Sequence, residues 1–196
     1  MLKRTLIAAA VALASAGAFA QTTAATTTQR DVNQQTRIEN GLKDGSLTTR
    51  EAAKLEKEES RVDHMQAKAL KDGKLSDAER AKLNAAQNKV SADIKAERHD
   101  AQTGNPNSAS SKRMQADVQR NINQQKRVEA GVQNGSLTNH EVAKLERGQA
   151  HVDRKEAAAA RDGHVGAAEE RGIQRSENRQ SRKIHRQKTD AQVRKG

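Results

Sequence analysis

A 28-residue echo nested inside a 90-residue duplication constrains this chain more than any other feature of its sequence. Each echo sets a Gly, an apolar residue two positions later and a Glu six positions later: Gly45, Leu47, Glu51, then Gly73, Leu75, Glu79. A shift of 90 gives Gly135, Leu137, Glu141, then Gly163, Val165, Glu169. The chain is two copies of one unit, a pattern that speaks to fold far more than to activity.

The unit is helical. After Thr48 come Ala52, Leu55, Val62 and Ala69, and after Ser76 come Leu83, Ala86, Val90 and Ile94. These steps of three, four or seven put one apolar stripe on one helix face, with Lys, Glu, Gln and Asp expected opposite. Period-two alternation and aromatics are missing, so strands are not expected. The spacing predicts an all-α fold of two tandem three-helix units, with helices near 29–43, 48–71, 76–101, 113–133, 138–161 and 167–190. The first repeat spans 29–102 and the second 112–192. Residues 103–111, with the only proline, Pro106, read as the linker, and residues 21–28 as a polar spacer without periodicity.

Residues 1–20 read as a secretory signal: Lys3 and Arg4, an apolar run from Thr5 to Leu13, and Ala18-Phe19-Ala20 as a cleavage pattern. This predicts an exported, periplasmic protein with release to the medium as an alternative, and no segment long enough to be kept as a membrane span. There is no Cys, hence no disulfide and no thiol nucleophile. The only Phe leaves with the leader, so the core must come from Leu, Ile, Val and Ala. Apolar burial is worth roughly 25 cal/mol per Å², and units of this size are marginal on a thin seam. Self-association into a homo-oligomer, or a partner, is therefore expected to help.

The repeated string at 43–51 has two readings. As a joint between helices, Gly45 takes the left-handed position that ends one helix, Thr48 caps the next, and Glu51 completes a capping box. Ser76 with Glu79 and Thr138 with Glu141 repeat it. Alternatively, Asp-Gly-x-apolar-x-x-x-Glu resembles the second half of an EF-hand calcium loop over about eight residues. That resemblance implies a divalent-metal binder using Asp44, Thr48, Glu51 and Asp72, Ser76, Glu79. The third loop position, which needs an oxygen, holds Leu42, Leu70, Val132 and Ala160, which argues against tight calcium binding.

Leu47-Thr48-Thr49-Arg50-Glu51 and Leu137-Thr138-Asn139-His140-Glu141 also look like the Leu-Thr-x-x-Gln signature of CpxP/Spy-type periplasmic stress proteins. This resemblance implies a small exported helical chaperone or metal-stress factor with a basic surface. The succession of a Gln-Gln-x-Arg-Ile helix, Gly-x-Leu-Thr-x-x-Glu and Asp-Gly-x-Leu-Ser-x-x-Glu-Arg resembles exported helical-repeat proteins of proteobacteria over nearly the whole mature chain, and implies no activity.

Charge is uneven. Residues 21–102 carry 15 Lys and Arg against 14 Asp and Glu, whereas residues 103–196 carry 19 against 11. Most of the excess follows Glu170, and Arg175, Arg179, Arg182, Lys183 and Arg186 are the candidate contacts for anionic partners. Base stacking needs aromatics the mature chain lacks, so sequence-specific nucleic acid recognition is not expected. No two of the six His stand four apart; His64, Met65 and His99 could meet only across a hairpin, as weak copper or zinc ligands. No nucleophile elbow or phosphate loop occurs, and paired carboxylates at this density are expected from surface patterning alone. The sequence reading is therefore a non-enzymatic periplasmic binding or stress-protection protein without a cofactor. It would hold acidic or partly unfolded proteins, or anionic envelope components, on basic amphipathic helices. The alternative is a calcium, zinc or copper binder of degenerate EF-hand type.

Overall fold

The computed structural model describes residues 15–190, with side chains from residue 24 on. Six α-helices follow one another: α1 (Ser15–Asp44), α2 (Thr49–Ala69), α3 (Asp77–Glu97), α4 (Ala109–Gln133), α5 (Asn139–Ala159) and α6 (Ala167–Thr189). A 3-10 turn, Leu70–Asp72, follows α2, and no described residue is in a strand.

Capping sets the helix starts. The Glu51 N–H donates to Thr48 Oγ1 at 3.2 Å while the Thr48 N–H donates to Glu51 Oε2 at 2.8 Å, which satisfies two groups that a helix N-terminus leaves bare. Ser76 with Glu79 starts α3 and Thr138 with Glu141 starts α5 in the same way. At α6 only half of the box survives, because Gly166 has no hydroxyl: its N–H donates to Glu169 Oε2 at 2.8 Å. Gly45, Gly73, Gly135 and Gly163 all take left-handed φ values between +76° and +89°, a region costly for residues with a Cβ. The spacing of the echo is thus the spacing of a helix stop and the next helix start.

Two boundaries differ from the sequence reading. Residues 21–28, expected as a spacer, lie inside α1. Ala24, Thr27 and Thr28 are buried, and the Thr28 hydroxyl donates to the Ala24 carbonyl at 3.1 Å. Their cover is tertiary, since Ala24 belongs to an apolar cluster with Val128, Val132 and Ile184 of the second copy, a contact that local periodicity cannot show. The linker is also shorter, because Ser108 caps α4 by accepting the Ser111 N–H at 3.1 Å. Of the predicted leader, residues 1–14 lie outside the described residues, as does the tail from residue 191. Among the described residues no helix is long and apolar enough to cross a membrane.

The two three-helix units pack into each other. α2 runs against α5 and α1 against α4, both antiparallel: Arg50 at the start of α2 donates to the Asp162 carbonyl just past α5, and Asn139 at the start of α5 donates to the Gly73 carbonyl just past α2. At the crossing the Ser60 hydroxyl donates to the carbonyl of Ala150, its own equivalent 90 residues on. α3 covers α1 and α2, and α6 covers α4 and α5. These outer helices are latched by equivalent arginines, Arg37 on Ser91 and Arg127 on Ser181, both 2.7 Å. The result is an antiparallel four-helix bundle with pseudo-twofold symmetry and two outer helices.

The apolar core is divided between the two ends. One cluster joins Ile38, Leu42, Leu47, Leu55 and Ile94 of the first copy to Met114, Val165 and Ile173 of the second. The other joins Val128, Val132, Leu137, Leu145 and Ile184 to Ala24, Leu75 and Leu83. Each end is thus closed only when both copies are present. Between the two ends the interior is polar.

Candidate metal centre

That polar middle is built by the helix stripes themselves. Along α2 the inward positions between Leu55 and Ala67 include Glu56, Glu59 and Asp63, all 2% exposed or less. Along α5 they include Glu146, Asp153 and Glu156, each at 0%, and α1 adds Asp31. The sequence reading put such acids on the solvent face. They are instead in the core, because the antiparallel partner helix covers the flank of the stripe as well as its centre. Among the described residues no Lys, Arg or His is buried with them.

Two groups form. Asp31, Asp63 and Glu146 each point a carboxylate oxygen into one site, these oxygens lying within 4.8 Å of one another. Glu56, Asp153 and Glu156 do the same in the second. The pseudo-twofold axis relates them: Asp63 is equivalent to Asp153, and Glu146 to Glu56. They also touch, since Asp63 and Asp153 share a hydrogen bond.

Side-chain amides fix most of these groups from behind. Gln87 Nε2 donates to Asp31 Oδ1 at 2.6 Å and Gln125 Nε2 to Glu146 Oε2 at 3.1 Å. In the second group Gln35 Nε2 donates to Glu56 Oε2 at 2.9 Å, Gln149 Nε2 to Asp153 Oδ1 at 2.9 Å, and Asn121 Nδ2 to Glu156 Oε2 at 2.8 Å. Every one of the six carboxylates keeps one buried oxygen with no hydrogen-bond partner, and both oxygens of Glu59 are bare. Unpaired buried polar atoms cost about 1–3 kcal/mol each, so this density of bare oxygens marks the place where a positive ligand would be stabilising.

The electrostatics agree. Burial raises Asp31, Glu56, Glu59, Asp63 and Glu156 well above the usual carboxylate range, and neighbouring carboxylates raise them further. Burial pushes Glu146 and Asp153 up to about 7. Beside the second group, Asp117 is pushed up to about 8 by burial and by Glu177, and Glu177 to about 7 by burial even though Arg120 pairs with it at 3.0 Å. Like charges this close and dry hold protons unless a cation replaces them. The donors are all oxygens, which suits hard cations such as calcium, manganese or ferric iron and excludes the soft-ligand chemistry of copper(I).

The sequence-predicted ligands lie elsewhere. Thr48, Glu51, Ser76 and Glu79 are spent in the capping boxes. Asp44 accepts from the Ser46 N–H and hydroxyl and pairs with Arg98 at 2.7 Å, and Asp72 accepts the Lys74 N–H at 3.0 Å. Leu42, Leu70, Val132 and Ala160 are fully buried core residues. A third acidic group, Glu51 with Glu97 and Asp100, is partly exposed, and Lys54 stands 3.7 Å from Glu97. His64, Met65 and His99 are not drawn together in any of these groups; His99 is exposed and its Nδ1 lies 2.8 Å from the Lys95 carbonyl.

Arg175, Arg179, Arg182, Lys183 and Arg186 are exposed along α6. Lys183 and Arg186 face Lys144 and Arg147 of α5 across a groove of about 790 Å³, and Arg179, Arg182 and His185 line its neighbour. His151 close by is held below its usual pKa by burial and by Lys155, Arg154, Arg179 and Lys183. The carboxylate centre was readable in outline: Glu56, Glu59 and Asp63 continue the buried stripe through Leu55 and Val62, a register in which acids on a soluble helix are out of place. No family model, no curated protein and no solved structure matches the chain.

Proposed function

We propose that this protein is an exported, non-enzymatic binding protein for hard metal cations, which it holds in the polar middle of its four-helix bundle. The observation that carries the reading is the set of seven buried carboxylates, Asp31, Glu56, Glu59, Asp63, Glu146, Asp153 and Glu156, with bare oxygens and no buried cationic side chain beside them. A cation bound only by the folded state stabilises that state by mass action, which would offset the thin aromatic-free core. The proposal keeps the metal-binding alternative drawn from the sequence and moves it from the loops into the bundle. The test is equilibrium dialysis of chelator-stripped protein against calcium, manganese(II) and zinc, followed by elemental analysis. Retention of manganese or calcium that Asp63→Asn with Asp153→Asn abolishes supports the reading; retention of neither, nor of europium(III) under the same conditions, overturns it.

A second reading rests on the α5–α6 surface. Lys144, Arg147, Arg179, Lys183 and Arg186 gather positive charge along two grooves, which favours contact with acidic proteins or anionic envelope components, as in a stress-protection role. The only large apolar side chain exposed among the described residues is Met65, so such contact would be electrostatic and weaken with salt.

A further inference from the structure

We infer that the centre is binuclear: it takes two hard cations, one in each half of the pseudo-twofold pair, and prefers trivalent ions. This rests on the cation-binding reading above and specifies its number and charge.

The duplication has not copied the site unchanged. Position 31 is Asp and its equivalent, 121, is Asn; position 66 is Gln and its equivalent, 156, is Glu. Asp31 belongs to the first group and Glu156 to the second. Each half therefore has three carboxylates and one side-chain amide at its four corresponding positions, with acid and amide exchanged between them. Asp31, Asp63, Glu146 and Gln66 make one set; Asn121, Asp153, Glu56 and Glu156 make the other. Both amide oxygens, Gln66 Oε1 and Asn121 Oδ1, are buried without a hydrogen-bond partner, while their nitrogens are engaged by Thr28 and by Glu156. Drift at a structural position has no reason to preserve the acid count of each half. Two ligand sets of equal charge give one.

Glu59 lies between the halves. It is 1% exposed, neither oxygen has a partner, and on α2 it stands one helical turn from both Glu56 of the second half and Asp63 of the first. Its equivalent is Gln149, which only supports Asp153, so Glu59 is a seventh carboxylate that the second copy does not repeat, beside the Asp63 and Asp153 pair that already joins the halves. With it the two sets carry seven carboxylates, and Asp117 adds an eighth beside the second half while Glu177 is paired with Arg120: two trivalent cations leave two negative charges, whereas two divalent cations leave four. Residual charge in a site closed to water is costly, and attraction scales with cation charge.

The experiment is titration of chelator-stripped full-length protein with europium(III), read by direct excitation of the ion because the chain after the predicted leader has no aromatic sensitiser, with elemental analysis for stoichiometry. Two europium ions per chain are expected, with a loss to one in Asp31→Asn. The double variant Asp31→Asn with Gln66→Glu gives the first half the acid and amide arrangement of the second, and should return the count to two. Manganese(II) should need about a hundredfold excess or more to displace them, by the scaling of attraction with charge. One europium in the wild type, or a count that Asp31→Asn leaves unchanged, overturns the two-site inference while the cation-binding reading stands. Failure of the double variant to recover, with wild-type circular dichroism, contradicts the equivalence of the halves. Displacement by equimolar manganese overturns the trivalent preference. Retention of no europium, manganese or calcium overturns both readings.

Discussion

Asp63 and Asp153 occupy the same position in the two copies and hydrogen-bond to each other where α2 passes α5. Two carboxylates in contact in a dry interior must share a proton or a cation. Asp63→Asn removes one acid and supplies an amide donor to the bare oxygens around it. In the absence of metal this variant should be more stable than the wild type by about 1–3 kcal/mol. It should also lose bound cation. Denaturant titration followed by circular dichroism, with elemental analysis of the same samples, measures both effects.

Acidity gives a second prediction. Glu146 and Asp153 are raised to about 7 and Asp117 to about 8, each chiefly by burial. A carboxylate raised on folding binds more protons in the native state, so its contribution to stability is full below the ordinary carboxylate pKa and is lost as pH rises through the native value. Metal-free protein should therefore melt at a lower temperature at about pH 8 than at about pH 5, with the loss running through neutrality as Glu146 and Asp153 ionise and continuing as Asp117 does. Bound cation replaces the protons, so the slope should flatten or reverse when metal is present. Melting curves across that range, with and without manganese, decide it.

The capping boxes separate loop from centre. Thr48→Ala and Ser76→Ala each remove the side-chain half of a box and should destabilise by about 1 kcal/mol. Cation stoichiometry should be unchanged, since the EF-hand-like positions are helix caps in this fold. A loss of bound ion in either variant would return the ligand role to the loops.

How much of this was readable in the sequence depends on the residue. The glycine, cap and glutamate of each echo placed the helix stops and starts at the four joints within a few residues, because those are local events, whereas the start of α1, expected near 29 and found at Ser15, has no echo to mark it. Thr27 and Thr28 were misread because their cover is tertiary: Gln87 and Gln66 donate to them from α3 and α2, while the second copy packs on Ala24. Glu56, Glu59 and Asp63 were misread for a related reason: apolar spacing marks the centre of a buried stripe, and an antiparallel partner decides how wide the buried face becomes. The exchange of acid and amide between positions 31, 66, 121 and 156 was visible in the repeat alignment, but its meaning needed the side chains brought together.

The basic face of α6 gives a separate outcome. Arg179→Glu, Lys183→Glu and Arg186→Glu together should abolish binding to anionic vesicles at low salt, and the wild-type binding should fall as ionic strength rises. Cation stoichiometry should be unaffected, because these side chains are exposed and outside the bundle interior. Vesicle co-sedimentation across a salt series measures this.

Anomalous diffraction from crystals grown with manganese or europium tests the central claim most directly. The account predicts anomalous peaks inside the bundle, bounded by Asp31, Asp63 and Glu146 on one side and by Glu56, Asp153 and Glu156 on the other. An interior without a peak, or peaks only at the loops around Asp44 and Asp72, would contradict it.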